Sequence, residues 1–352
     1  MKKWQGVFTA LVTPFNGKGE IDYHRLEKNL EFQISQGVTG VVPVGTTGES
    51  PTLKWPEHIH LIKKVVEVVN GRGLVIAGTG SNSTEEATEN SIKAVENGAN
   101  AVLLVGGYYN KPSSEQLRRY YYELVADAVR QENPEAVVIP YIIPGRTSCQ
   151  FFPIDLAILA ENCPNVVAVK EATGDLNNMA EIRRLLGPEF SILSGDDNLT
   201  TPMIASATIT GNGVISVMNN LVPKAIVEMV DAFLAGDNKT GQGLDTKLTP
   251  LFNLITAKVC VTRTFQGRLY QTEEKFPNPC AIKTMMAGLG IDSGLMRGPL
   301  GLVSASTVNL LRHALQQVWG NNPEILEPLE GFYGINIAER LNDEKSWQAL
   351  AA

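Results

Sequence analysis

A lysine that closes an apolar, β-branched run is the residue in this chain whose surroundings could change its chemistry most. The run V-V-A-V-K-E-A, residues 166–172, puts Lys170 where a buried strand would meet a loop. Such a lysine ordinarily reaches solvent or pairs with a carboxylate, and Glu171 is adjacent. It turns nucleophilic near neutrality only as the free amine, for which desolvation must lower its pKa by about 3, roughly 4 kcal/mol. Other chemistry-bearing residues fall just after further apolar runs. G-T-T-G-E-S at 45–50 offers the hydroxyls of Thr46 and Thr47 and flexible backbone N–H groups, suited to a small carboxylate, although its glycines would also serve a plain tight turn. Y-Y-N-K-P at 108–112 carries Tyr108 and Tyr109, Tyr141 precedes P-G-R-T at 144–147, and S-G-D-D follows at 194–197. The hydroxyls of Thr46, Tyr109 and Tyr141 could pass protons beside a nucleophilic Lys170. Taken alone, tyrosines at strand ends are ordinary packing.

The elements that must position these residues follow one rhythm. Strand-like runs at 7–12, 40–44, 74–77, 101–105, 137–142, 166–169, 191–193 and 213–217 alternate with amphipathic stretches at 23–36, 56–70, 84–97, 114–130 and 176–186. Strands apolar on both faces and separated by helices imply parallel pairing under a cover of helices. Eight such units predict an α/β chain of one closed (β/α)8 TIM barrel, whose working face lies where strands end and loops begin. The barrel is expected over 1–236. Over 237–352 the pattern turns helical, at 246–259, 280–289, 304–319 and 337–351, with a polar surface insertion near 256–276.

Several function classes are disfavoured. A net charge of −7 over 352 residues gives no basic field for nucleic acid or an anionic membrane. No apolar run approaches the ~20 residues that span a bilayer. The basic start Met1-Lys2-Lys3 before an apolar 4–15 has the look of a signal peptide, but Thr9, Thr13 and Pro14 interrupt it and no small-x-small site follows, so a buried strand is expected instead. Four scattered cysteines fit free thiols in a reducing compartment, hence a cytoplasmic location. The four histidines form no H-E-x-x-H, so no metal is expected; Gly78-Thr79-Gly80 lacks the dinucleotide fingerprint and no G-K-[ST] occurs, so no cofactor is expected either.

Seven motifs, in order, resemble one family: T-A-L-V-T-P-F at 9–15, G-T-T-G-E-S, Y-Y-N-K-P, P-G-R-T, V-K-E-A-T-G-D at 169–175, L-S-G-D-D at 193–197 and G-V-I-S-V at 213–217. The chain is similar to the dihydrodipicolinate synthase (4-hydroxy-tetrahydrodipicolinate synthase) family, within the N-acetylneuraminate lyase superfamily. The resemblance covers about residues 5–235 and continues weakly through Pro277-Asn278-Pro279. It implies a class I lyase that condenses pyruvate with aspartate β-semialdehyde on the diaminopimelate route to lysine. It assigns Lys170 the Schiff base and Thr46, Tyr109 and Tyr141 the proton relay, with Tyr109 reaching a neighbouring subunit's site in a homo-oligomer, dimer or tetramer. Thr47 would hold the pyruvate carboxylate, with the backbone of Gly195 and Ile215 flanking it, and Arg146 would hold the aldehyde's carboxylate.

The chain departs from the family at Gly106-Gly107, where Thr-Pro is usual, at Ile142 in place of Asn, in the insertion, and in the tail beyond about 318. Sister enzymes sharing the lysine, N-acetylneuraminate lyase or a keto-deoxy sugar-acid aldolase, are the nearest alternative; a non-catalytic binding paralogue is another. The resemblance also implies lysine as an effector, bound near Trp55, His58, Asn82, Glu86 and Tyr108. Glu86 would take its ammonium, Asn82 and Tyr108 its polar ends, and Trp55 its aliphatic stem. Trp55-Pro56-Glu57-His58 reads otherwise as only a helix start with a packing tryptophan.

Overall fold

The computed structural model describes residues 4–352; Met1, Lys2 and Lys3 lie outside the described residues. The chain opens on β1 (Gly6–Ala10), buried at every position, so the apolar start is a core strand. It continues through α1 (Tyr23–Ser35), β2 (Gly40–Val42), α2 (Trp55–Val69), β3 (Leu74–Gly78), α3 (Thr84–Glu96) and β4 (Ala101–Val105). Next come α4 (Ser114–Leu117), α5 (Glu123–Glu132), β5 (Val137–Ile142), α6 (Pro144–Thr147), α7 (Pro153–Asn162), β6 (Ala168–Glu171) and α8 (Leu176–Leu186). The barrel is completed by β7 (Ser191–Ser194), α9 (Thr200–Ala205), β8 (Gly213–Ser216) and α10 (Pro223–Leu234).

All eight strands pair in parallel, and β1 bonds both β2 and β8, closing the expected (β/α)8 barrel. Helices cover the sheet outside and side chains fill it inside, which is why the strands read as unbroken apolar runs. Helix starts are set locally: Asp22, Ser83 and Asp175 accept from backbone N–H groups of α1, α3 and α8, covering donors a helix start leaves free.

Three local expectations shift. The helix expected over 114–130 is interrupted by a π turn at Arg118–Tyr122, which lets the Tyr121 hydroxyl donate to Val105 O while accepting from Ser81 N. The helix expected over 246–259 ends early: α11 (Asn238–Phe252) stops, and residues 257–276 form a hairpin of β9 (Ala257–Phe265) and β10 (Arg268–Phe276). Gln266 and Gly267, both at positive φ, make its two-residue turn. The hairpin is exposed along most of its length, as a surface insertion would be. The stretch expected helical over 337–351 breaks at Asp343 into α15 (Ile337–Asn342) and α16 (Glu344–Gln348), after α12 (Cys280–Gly288), α13 (Ala305–Asn321) and α14 (Glu327–Tyr333).

These C-terminal helices share one hydrophobic core with the barrel. Phe32 of α1 packs on Phe332 and Tyr333, and Trp347 lies so close over Gly288 that a Cβ there would sit 2.2 Å from its ring. Among the described residues no helix is long and apolar enough to cross a membrane, and no cluster of His, Cys, Asp and Glu could hold a metal. All four cysteines are free.

Candidate active site

β6 carries Lys170 and Glu171 within the strand rather than beyond its end, and successive strand residues face opposite ways. Glu171 therefore does not pair with Lys170. It is fully buried, its carboxylate accepts from Thr173 N at 3.2 Å and Asn178 Nδ2 at 2.9 Å, and burial pushes its pKa up to about 7. Lys170 is 5% exposed, and register sets Tyr141 of β5 beside it. The amine lies 4.2 Å from the centre of the Tyr141 ring. Desolvation brings the Lys170 pKa down to about 8, Asp196 and Asp197 pull it back up, and Arg146 lowers it further. Lowering the value from 10.5 to about 8 raises the neutral fraction near pH 7 roughly 300-fold, to about a tenth, and that neutral form is the one that attacks a carbonyl.

The loop after β7 fits against the same lysine. A Cβ on Gly195 would meet Ala172 Cβ at 2.6 Å and Lys170 Cε at 3.1 Å, so glycine is the residue that admits the lysine stem. Gly195 N donates to Glu171 O at 2.6 Å. Asp197 is buried, accepts from Ser216 Oγ and from Val217 N, and burial pushes its pKa up to about 6. Ile215 lies in β8, fully buried, in register with Phe8.

Tyr141 is buried, and desolvation holds its phenol well above the ordinary value, with Arg146 and the Thr46 hydroxyl drawing it partly back and Asp196 raising it. It stays protonated at neutral pH and can donate a proton. Thr46 and Thr47 sit in the loop after β2, which leaves the strand through Val44 at φ 52°, a region β-branched residues seldom adopt. Thr47 Oγ1 accepts from Asn278 Nδ2 at 2.9 Å, and Arg146 Nη2 donates to Asn278 O at 2.9 Å. One residue of the Pro277-Asn278-Pro279 turn thus ties together both candidate carboxylate-binding side chains. Nothing short-range in the sequence marks Asn278 for that role; only its turn motif stood out. Asp196 and Asp197, visible as part of S-G-D-D, gain meaning only from their place beside Lys170.

A cavity of about 340 Å3 opens at this end of the barrel, and its wall includes Thr46, Tyr141 and Arg146 together with Trp55, His58 and Tyr108. Burial holds His58 down at about 4, so its ring is neutral. It lies 3.2 Å from Ser50 Oγ and 4.6 Å from the Trp55 ring, its Nδ1 without a partner. Asn82 and Glu86 stand outside that wall. Asn82 Oδ1 accepts from the backbone N–H groups of Tyr108 and Tyr109, and Glu86 accepts from Ser81. Tyr109 is 83% exposed and takes no part in the wall of that cavity.

A buried, pKa-lowered amine with an aromatic hydroxyl, a threonine hydroxyl and a guanidinium beside it can form an imine with a keto acid and move protons around it. Known proteins resemble this chain in sequence and fold. Residues 3–318 match the Dihydrodipicolinate synthetase family, further along the chain than the motifs alone reach. The 4-hydroxy-tetrahydrodipicolinate synthase of Leptospira biflexa is 42% identical over 306 residues, 87% of this chain and 94% of that protein. The crystal structure of dihydrodipicolinate synthase from Aquifex aeolicus superposes with a TM-score of 0.79 at 37% identity, covering 89% of this chain and 98% of that one. The DHDPS from Cyanidioschyzon merolae, solved with lysine bound, gives 0.78 at 35% identity over 90% and 99%. The barrel, the order of its motifs and these likenesses agree: the chain belongs to the dihydrodipicolinate synthetase family.

Proposed function

We propose that the protein condenses pyruvate with aspartate β-semialdehyde to 4-hydroxy-tetrahydrodipicolinate, in the diaminopimelate route of lysine biosynthesis, through an imine on Lys170. The observation that carries this reading is Lys170 itself: a buried amine with its pKa down at about 8, stacked at 4.2 Å on Tyr141. The neutral amine adds to the ketone of pyruvate and water leaves. Loss of a methyl proton from the imine then gives an enamine, which attacks the aldehyde carbon. Attack by the second substrate's own amino group on the imine carbon closes the ring and frees Lys170. Tyr141 and Thr46 supply and accept protons, Thr47 and the loop N–H groups take the pyruvate carboxylate beside the backbone of Gly195 and Ile215, and Arg146 takes the carboxylate of the aldehyde. The intact constellation, Arg146 included, and the named relatives favour this over a sister aldolase or a non-catalytic paralogue. No cofactor or metal is invoked, and the protein acts in the cytoplasm on small molecules. The deciding assay offers purified protein pyruvate plus aspartate β-semialdehyde in one vessel and N-acetylneuraminate in another. Turnover of the first alone is expected; cleavage of the second alone would reassign the protein to a sister lyase.

Arg146→Ala should separate the two half-reactions. Truncating one partner of a charge pair costs about 3 kcal/mol, roughly 10²-fold in kcat/KM for the aldehyde. Borohydride trapping of pyruvate should persist in that variant, and equal loss of both would indicate a structural role through Asn278.

Tyr109 is largely exposed in the single chain, which supports a homo-oligomer, dimer or tetramer, in which it enters a neighbour's site. Mixing Tyr109→Phe subunits with Lys170→Ala subunits should yield activity that neither has alone, through hybrid sites. A fully active monomer would end that assignment.

The cavity shared by Trp55, His58 and Tyr108 with Tyr141 supports lysine as an effector, the ligand present in the Cyanidioschyzon merolae relative. Millimolar lysine should slow condensation at saturating pyruvate, and Trp55→Ala should weaken that inhibition by about 5- to 150-fold, the span of a 1–3 kcal/mol coupling. Glu86→Ala, whose carboxylate faces Ser81, tests whether Asn82 and Glu86 close on lysine from outside the wall.

A further inference from the structure

We propose that the buried ion pair between Glu49 and Lys283 is a positioning device that sets the Thr46–Thr47 loop for pyruvate, a role that rests on the reading of Lys170 and that loop given above. Among the described residues it is the ion pair with both side chains wholly buried: Lys283 Nζ lies 2.6 Å from Glu49 Oε1, and each is 0% exposed. Lys283 also donates to Thr13 O at 2.8 Å and stands 4.5 Å over the ring of Phe15. The second oxygen of Glu49 accepts from Arg297 N at 2.9 Å. Glu49 is thus gripped twice from the C-terminal region, by α12 and by the segment after it.

Stability does not account for such a pair. Two charges taken from water together gain little over a well-packed apolar couple of the same volume, and are weak evidence for stability. What the pair fixes is position. Glu49 holds a left-handed backbone, φ 59°, and its N–H donates to Thr46 O at 3.1 Å. Thr13 Oγ1 donates to Gly48 O at 2.7 Å, and a Cβ on Gly48 would sit 2.9 Å from Val44 N. The loop has no slack, so movement of Glu49 passes directly to Thr46 and Thr47. Arg146 is reached from this loop only indirectly, through Asn278, whose carbonyl holds it while its side chain reaches Thr47. Pyruvate binding should therefore suffer before aldehyde binding does.

The test compares Glu49→Gln, Lys283→Met, the double variant and Glu49→Asp by steady-state kinetics, borohydride trapping with pyruvate, and thermal melting. Each single variant should raise the pyruvate KM about tenfold or more, as small misplacements of binding groups do, slow trapping in parallel, and move the aldehyde KM far less. The double variant leaves no unpaired charge, so its melting temperature should return towards wild type while its pyruvate KM stays raised. Glu49→Asp keeps the charge and shortens the reach, and should raise the pyruvate KM without a matching loss of stability. Should a single variant not fold, the double variant and Glu49→Asp carry the test. Variants that melt lower with wild-type pyruvate KM and trapping, or a double variant restored in both, would overturn the positioning role. A wild-type protein that pyruvate does not modify would overturn the reading of Lys170, and this role with it.

Discussion

A Lys170→Met variant is expected to lose condensation by about 10⁴-fold or more in kcat/KM, because removing the covalent nucleophile removes the pathway rather than one contact. The same variant is expected to melt no lower than wild type, and higher at neutral pH. Burial takes the lysine from 10.5 to about 8, which corresponds to about 3 kcal/mol of stability forgone to keep a desolvated amine in place. The folded-state value lies below the unfolded one, so the folded chain holds fewer protons between about 8 and 10.5. The destabilisation is present in full below pH 8 and fades as pH rises to 10.5. The stability gain of Lys170→Met should therefore be largest at pH 7 and shrink by pH 10. Activity and stability moving in opposite directions mark a residue kept for chemistry. A variant that lost both together would indicate a lysine kept for packing.

Tyr141→Phe should reduce kcat by about 10²- to 10³-fold, the range for a positioned proton donor. The ring that lies 4.2 Å from the Lys170 amine is retained in this variant, so what is lost is the hydroxyl. Imine formation with pyruvate should still occur, more slowly, and melting should be little changed. Thr46→Val should fall in the same direction, and the double variant should cost much less than the product of the two, since groups of one relay fail as a unit. Independent, multiplicative losses would show that the two hydroxyls serve separate steps.

The barrel was legible because its strands are buried on both faces: V-V-I-P-Y-I in β5 and A-V-L-L-V in β4 have no polar side to disguise them. Lys170 stood out for the same reason, as a charge at the end of such a run. Residues 253–276 were harder. Apolar residues at 248, 251, 252, 254 and 255 carry a helical spacing up to the hairpin, and its turn, Gln266-Gly267, is not the Asn-Gly or Asp-Gly pair that announces one. The π turn in front of α5 keeps a helical period and leaves no trace in it. Contacts that join distant residues were hidden altogether. Asn278 reaches Arg146 across 132 positions and Thr47 across 231, and Glu49 meets Lys283 across 234. No local pattern encodes a partner that far away. The strand register decided one further point: adjacency in sequence suggested that Glu171 would neutralise Lys170, whereas alternation along β6 sends the two side chains apart.

The role of Lys170 as nucleophile is measured most directly by covalent trapping. Wild-type protein is incubated with pyruvate, reduced with borohydride, digested, and the modified peptide identified by mass, with Lys170→Ala treated alongside. One reduced pyruvate adduct is expected, on Lys170, formed faster as pH rises through about 8 as the amine loses its proton, and no adduct in the variant. An unmodified Lys170, or an adduct that survives its replacement, for instance on Lys283, would contradict that role.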